Sequence, residues 1–297
     1  MTTAPPFGRI LSALVTPMLP DGSLDREGVQ QAARHLADHG HDGIVVNGTT
    51  GESPTTSDEE KLELLRLVRE AIGPDLRIVA GVGSNDTHHT VELARQAAGS
   101  GVVDGLLVVT PYYNKPPVAG LERHFTTVAD ATDLPVMLYD IPGRSGVPIP
   151  TELTLRLAEH PRIAAVKDAK GDLWAATRLM RDTDLLWYSG DDAANLAHLA
   201  LGAVGIVSVV GHVAGSDYRA MVDAVDAGDL AGAREIHRRL VPAVDAVMNV
   251  TQGAIMTKAA LVELGVIAHP TVRLPLVEAT PDQVEILRSG LRDSGLL

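Results

Sequence analysis

Hydrophobic positions recur along this chain on two different scales. Short runs rich in Val, Ile and Leu appear as RILSALVTP from Arg9, GIVVNG from Gly43, RIVAGV from Arg77, GLLVVTP from Gly105, PVMLYDIP from Pro135, IAAVKDA from Ile163, LLWYSG from Leu185 and GIVSVVG from Gly205. Each predicts a buried strand, being brief, branched and bounded by turn residues. Between them lie longer amphipathic stretches. In SDEEKLELLRLVREAIG, Leu62, Leu65, Val68 and Ile72 share one helical face, Ser57 and Glu60 form a capping box, and Gly73 with Pro74 marks the end. Strand and helix alternating in this way predict parallel strands joined by right-handed crossovers. Eight such units, ending near residue 230, favour a closed (β/α)8 barrel, although an open doubly wound sheet satisfies the same periodicity.

After Gly228 the strand-like runs stop, and DLAGAREIHRRLVPAVDAVMNV, GAIMTKAALVELGV and PDQVEILRSGLRDSGLL read as helices. The expected division is a barrel over residues 1–230 that carries the active site, and a helical region over 231–297 packed on the barrel or on a neighbouring subunit. No Gly-, Ser- or Pro-rich linker separates the two.

Charge and composition narrow the possible partners. Lys and Arg number 25 against 38 Asp and Glu, a net charge of −13 that repels phosphate backbones and anionic membrane surfaces. No basic patch offsets it, so neither nucleic acid nor membrane is an expected partner. The absence of cysteine excludes disulfides, thiol nucleophiles and thiolate metal sites. MTTAPPFGRI lacks a basic start followed by an apolar core, and no apolar run approaches membrane-span length. The expectation is a soluble, cytoplasmic protein. His88 and His89 point in different directions on a helix without a third ligand, and read as solvated surface with no metal site.

In a barrel of this kind the reactive groups collect where strands end. There, NGTTGES follows the second strand, TPYYNKPP the fourth and YDIPGRSG the fifth, Lys167 lies in the sixth, and SGDD closes the seventh. Alternation puts Ile163, Ala165 and Lys167 on one face and Ala164, Val166 and Asp168 on the other. If the lysine face points inward, apolar surroundings disfavour the ammonium, and the neutral amine can condense with a ketone to an imine that acts as an electron sink. The alternative is a structural lysine paired with Asp168 or Asp140. Tyr139 could exchange a proton beside it or be a core tyrosine. GTTGES offers hydroxyls and backbone N–H groups suited to a small carboxylate, or is a polar turn before a capped helix; it lacks the lysine and glycine spacing of a phosphate loop. Arg144 is placed to hold a second carboxylate bidentately.

The combination of GTTGES, TPYYNKP, LYDIPGRSG, VKDAKGD and SGDD resembles, nearly end to end, the dihydrodipicolinate synthase and N-acetylneuraminate lyase family. The resemblance implies the barrel with C-terminal helices, usually as a homotetramer, using no metal or organic cofactor. It implies that Lys167 forms a Schiff base with pyruvate. Tyr139 then relays protons together with Thr50 and with Tyr113, which crosses into the neighbouring subunit's site. Thr49 and Thr50 would seat the pyruvate carboxylate, Arg144 would receive the carboxylate of L-aspartate semialdehyde, and Gly190 and Val207 would line the pocket with backbone groups. The doubled tyrosine and the arginine favour the synthase reaction of lysine and diaminopimelate biosynthesis. The alternative is a lyase releasing pyruvate from a 2-keto-3-deoxy sugar acid or N-acetylneuraminate. Ser53, Pro54, Asn85 and Tyr112 match the family's regulatory region, but Asp58, Lys61 and His89 stand where lysine-sensitive members carry two histidines and a glutamate. Lys61 would oppose a cationic effector, so weak or absent inhibition by L-lysine is expected.

Overall fold

All eight apolar runs become strands, each paired in parallel with the next, and the last closes onto the first. The computed structural model describes residues 5–297. The strands are β1 (Ile10–Ala13), β2 (Gly43–Val46), β3 (Arg77–Gly81), β4 (Gly105–Val109), β5 (Val136–Asp140), β6 (Ile163–Asp168), β7 (Leu186–Ser189) and β8 (Gly205–Ser208). The helices, in chain order, are α1 (Arg26–Asp38), α2 (Asp58–Ile72), α3 (Thr87–Gly99), α4 (Val118–Ala129), α5 (Pro142–Ser145), α6 (Thr151–Leu157), α7 (Leu173–Asp182), α8 (Asn195–Ala200), α9 (Gly211–Asp226), α10 (Leu230–Met248), α11 (Gly253–Glu263) and α12 (Pro281–Asp293). Pairing of Leu11 with Val207 and of Ser12 with Ser208 settles closure, which periodicity alone left open.

Both faces of each strand are buried, as a parallel sheet wrapped by helices requires. Leu11, Ala13, Val45, Val79, Leu107, Met137, Ala165 and Val207 fill the barrel interior. Ile44, Ile78, Leu106, Val108, Leu138 and Val166 point outward beneath the helices. Strict alternation fails at one place. Val136 pairs with Ile163, but Met137 pairs with Ala165, so β6 begins with an extra residue. Ile163 consequently joins the outer core instead of sharing the face of Lys167. Beyond the bulge the expected alternation resumes, with Ala165 inside.

The capping box at the start of α2 is formed: Ser57 Oγ accepts the Glu60 N–H at 3.2 Å and the Glu60 carboxylate accepts the Ser57 N–H at 2.9 Å. Such a cap contributes about 1 kcal/mol. The buried stripe of α2 is Lys61, Leu64, Leu65 and Val68, while Leu62 and Ile72, expected on it, pack at its margin.

The C-terminal helices add a second apolar core over the β1–β8 side of the barrel, built by α9, α10, α11 and α12. A Cβ on Gly290 would lie 2.6 Å from both the Ala246 Cβ and the Pro242 carbonyl oxygen, so glycine permits the close approach of α12 to α10. Every residue of α11 from Gly253 to Leu261 is buried, Lys258 included. Among the described residues no helix is long and apolar enough to cross a membrane.

Candidate active site

The C-terminal ends of the strands surround a cavity of about 420 Å³ lined by Thr49, Thr50, Tyr139, Arg144, Lys167 and Gly190, with Val209 and Met248 on its wall. That volume suits a small substrate. A larger hollow at the opposite end of the barrel includes Arg9, Asp42, Arg219 and Asp226, but Arg9 is paired with Asp226 and Arg219 with Asp42. Unpaired chemistry is concentrated at the first cavity.

Lys167 is 4% exposed, and its Nζ stands 4.2 Å from the centroid of the Tyr139 ring. The structural alternative for this lysine fails on geometry. Asp140 is taken by Lys170 at 3.3 Å, while Asp168 accepts the Lys170 N–H at 2.8 Å and the Trp187 Nε1–H at 3.2 Å. Neither carboxylate pairs with Lys167. Burial pulls the Lys167 ammonium down to about 7; Asp192 partly opposes this and Arg144 adds to it. A substantial fraction of the amine is therefore neutral near pH 7. Gly190 on the neighbouring strand end makes room for its stem: a Cβ there would sit 2.8 Å from Lys167 Cγ and 3.0 Å from Cε.

The last two residues of SGDD do different work. Asp191 caps a short 3-10 turn by accepting the Ala193 N–H at 3.1 Å. Asp192 is buried and has no cation in contact among the described residues. Its carboxylate accepts Val209 N–H at 2.9 Å, Val210 N–H at 3.1 Å, Asn195 Nδ2–H at 3.1 Å and the Ser208 hydroxyl. It thereby ties the loop after β7 to the end of β8, where the cavity wall is Val209. Val207, expected to line the pocket, lies one layer deeper in the barrel core, because residues two apart on a strand occupy successive layers of the same face.

The loop after β2 tightens into a 3-10 turn over Thr49–Gly51, with Gly51 N–H on Gly48 O at 3.0 Å and Glu52 N–H on Thr49 O at 3.1 Å. The N–H groups of Thr49 and Thr50 begin that turn and have no acceptor within it. Both threonines line the cavity. From β5, Tyr139 points in, and its hydroxyl has no hydrogen-bond partner among the described residues; burial pushes its pKa up to about 12, so the phenol is protonated and available as a donor. Arg144, on α5, forms no ion pair among the described residues and stands at the mouth. The structure thus brings together Lys167, Tyr139, Thr49, Thr50, Arg144 and Gly190. Tyr113 is different: it is 87% exposed, adopts a left-handed backbone with φ of 75°, and does not line this chain's cavity.

In the first turn of α3, His88 is solvated as expected, but His89 is not simply solvated surface, because its Nε2 contacts Asp58 at 2.9 Å. Lys61 is buried and donates to Thr56 O at 2.5 Å, with Asp58 3.8 Å away. Its ammonium therefore faces the protein.

Sequence reasoning missed the partners of Glu52. This residue closes the threonine turn with φ of 57° and is 3% exposed. Its carboxylate receives Lys258 Nζ at 2.5 Å and the Arg273 N–H at 2.8 Å. A lone cation inside the largely apolar GAIMTKAAL was the one signal that something buried awaited it.

A closed parallel barrel with a desolvated lysine at a strand end, a free phenol and an unpaired arginine over one small cavity is the arrangement of an imine-forming lyase of the aldolase type. The model of the dihydrodipicolinate synthetase family matches residues 6–293. A 4-hydroxy-tetrahydrodipicolinate synthase from Kineococcus radiotolerans is 61% identical over 98% of this chain and 94% of its own. The crystal structure of dihydrodipicolinate synthase from Cyanidioschyzon merolae with lysine bound superposes with a TM-score of 0.94 at 42% identity, covering 99% of this chain and 100% of that one. The chloride-inhibited dihydrodipicolinate synthase from Acinetobacter baumannii, complexed with pyruvate, gives a TM-score of 0.94 at 34% identity over 98% of this chain and 100% of that one. The chain belongs to the dihydrodipicolinate synthetase family.

Proposed function

We propose that this protein condenses pyruvate with L-aspartate 4-semialdehyde through a Schiff base on Lys167. The observation that carries this reading is the buried, unpaired amine beside Tyr139, in a cavity that also presents a carboxylate-sized turn and a free arginine. The pyruvate complex of the A. baumannii enzyme supports the first substrate.

Neutral Lys167 adds to the keto carbon of pyruvate; proton transfer, with Tyr139 as donor, releases water and leaves a cationic imine. The N–H and hydroxyl groups of Thr49 and Thr50 hold the carboxylate, and Thr50 with Tyr113 of a neighbouring copy continues the proton path. Loss of a methyl proton gives the neutral enamine, which attacks the aldehyde carbon. Arg144 holds the second substrate's carboxylate. The amine of that substrate then displaces Lys167 and closes the six-membered ring, returning the lysine neutral.

The test is borohydride reduction in the presence of pyruvate followed by peptide mass analysis. Modification is expected at Lys167 alone, with its loss in Lys167→Ala and a fall in kcat of about a thousandfold or more. Label at Lys170 or Lys258 would overturn the assignment. A coupled assay with pyruvate and aspartate semialdehyde should proceed well ahead of cleavage of 2-keto-3-deoxy sugar acids or N-acetylneuraminate; the reverse order would establish the lyase alternative.

Weak or absent inhibition by L-lysine belongs to the same reading. Its support is that Asp58 already contacts His89 and lies beside Lys61, so this carboxylate is committed before any ammonium arrives. Millimolar lysine should leave the initial rate within about twofold, and strong inhibition would reject the idea. A tetramer that delivers Tyr113 across a subunit boundary is proposed with it, supported by the exposure of that side chain.

A further inference from the structure

The threonine turn at the cavity is held in place by contacts outside the cavity. Thr49–Gly51 is a single 3-10 turn flanked by two non-glycine residues in left-handed conformations, Asn47 with φ of 62° and Glu52 with φ of 57°. Such a segment relaxes unless its surroundings over-determine it. On one side Thr16 Oγ1 donates to Gly51 O at 2.7 Å. On the other, the Glu52 side chain at the turn's exit reaches across the molecule. Its carboxylate is gripped by Lys258 Nζ at 2.5 Å and by the Arg273 N–H at 2.8 Å.

That grip extends outward. Lys258, which is fully buried, also donates to Thr271 O at 2.6 Å. The Arg273 guanidinium reaches Thr55 O at 2.7 Å, Gly22 O at 2.9 Å and the Glu60 carboxylate at the cap of α2. Helix α11 and the segment after it are therefore bonded to the middle of the loop between β2 and α2, to its C-terminal end and to the first turn of α2. A buried lysine is costly to maintain, and an apolar residue would serve packing of α11 at least as well. Its retention makes sense if the fixed direction of the Glu52 side chain is what matters.

We propose that Lys258 is a positioning residue for substrate binding: through Glu52 it sets the backbone of Thr49–Gly51, and so the placement of the groups that grip the pyruvate carboxylate. This rests on the reading that the turn binds that carboxylate. The effect is on ground-state binding of one substrate, not on the imine chemistry.

The experiment compares the parent with Glu52→Gln and with the double variant Lys258→Met and Glu52→Gln, which leaves no unpaired buried charge. In the folded double variant the KM for pyruvate should rise about tenfold or more, with kcat within about threefold and KM for aspartate semialdehyde unchanged. The single Glu52→Gln, which keeps Lys258 and an acceptor for it as well as for the Arg273 N–H, should show a smaller rise. An unchanged pyruvate KM in a folded double variant overturns the proposal, as does an equal loss in kcat with no change in KM. Hydrogen exchange on the parent needs no variant: pyruvate should slow exchange at the Arg273 amide together with the amides of Thr50–Glu52, and protection confined to the turn would count against the coupling. Borohydride labelling of the parent runs alongside. No label at Lys167 would remove the pyruvate reading itself, whereas label with an unmoved KM would remove only the role of Lys258.

Discussion

Lys167 illustrates how little of a residue's chemistry lies in its type. An exposed lysine is a cation at neutral pH; here burial favours the free amine, and no carboxylate is close enough to reverse that. The consequence for rate is definite. The neutral amine is the attacking species, so imine formation should rise with pH around a midpoint of about 7 instead of continuing to climb past 10. The pH dependence of the pyruvate trapping rate checks this, and a rate still climbing steeply above pH 9 would contradict it. The lysine and the tyrosine were legible from their places at strand ends. The pairing of Lys170 with Asp140 was not, because that contact depends on a loop whose course no periodicity encodes.

At the scale of elements, the strand ends are joined to one another by side chains as well as by backbone. Asp192 collects two N–H groups from the residues just after β8, a hydroxyl from the last residue of β8 and an amide from the start of α8. Replacing it with alanine strands several buried donors at once, and should lower stability by on the order of 3 kcal/mol, read from urea unfolding, while also weakening the Val209 wall of the cavity. A variant as stable as the parent would show that water replaces the carboxylate. Strands and helices were readable from the period of their apolar residues, down to the capping box of α2. The bulge that turns Ile163 outward and the shift of the pocket wall from Val207 to Val209 were not, since each is a displacement within a strand that leaves the apolar pattern intact.

Across the whole molecule, several histidines are buried in the neutral form. Desolvation holds His41 and His124 down to about 4 and His212 to about 3. In the unfolded chain each takes up a proton below about 6.5. The unfolded state therefore binds more protons in this window, and stability falls as pH drops from about 6.5 towards 4, by up to about 1.4 kcal/mol per pH unit for each histidine. Asp140, raised by burial to about 6, works in the opposite direction but is one group against three. Unfolding midpoints in urea should decline steadily between pH 6.5 and 4.5; a flat profile would mean that these rings find protons or solvent in the native state.

Glu52 meets its two partners 206 and 221 residues further along the chain. During translation it leaves the ribosome long before either exists, and passes most of synthesis as a hydrated carboxylate. A nascent chain stopped just short of Arg273 would already contain Lys167 and all eight strands, yet the threonine turn would lack the Arg273 contact. Manufacture of this catalyst is finished only when α11 and the segment after it arrive.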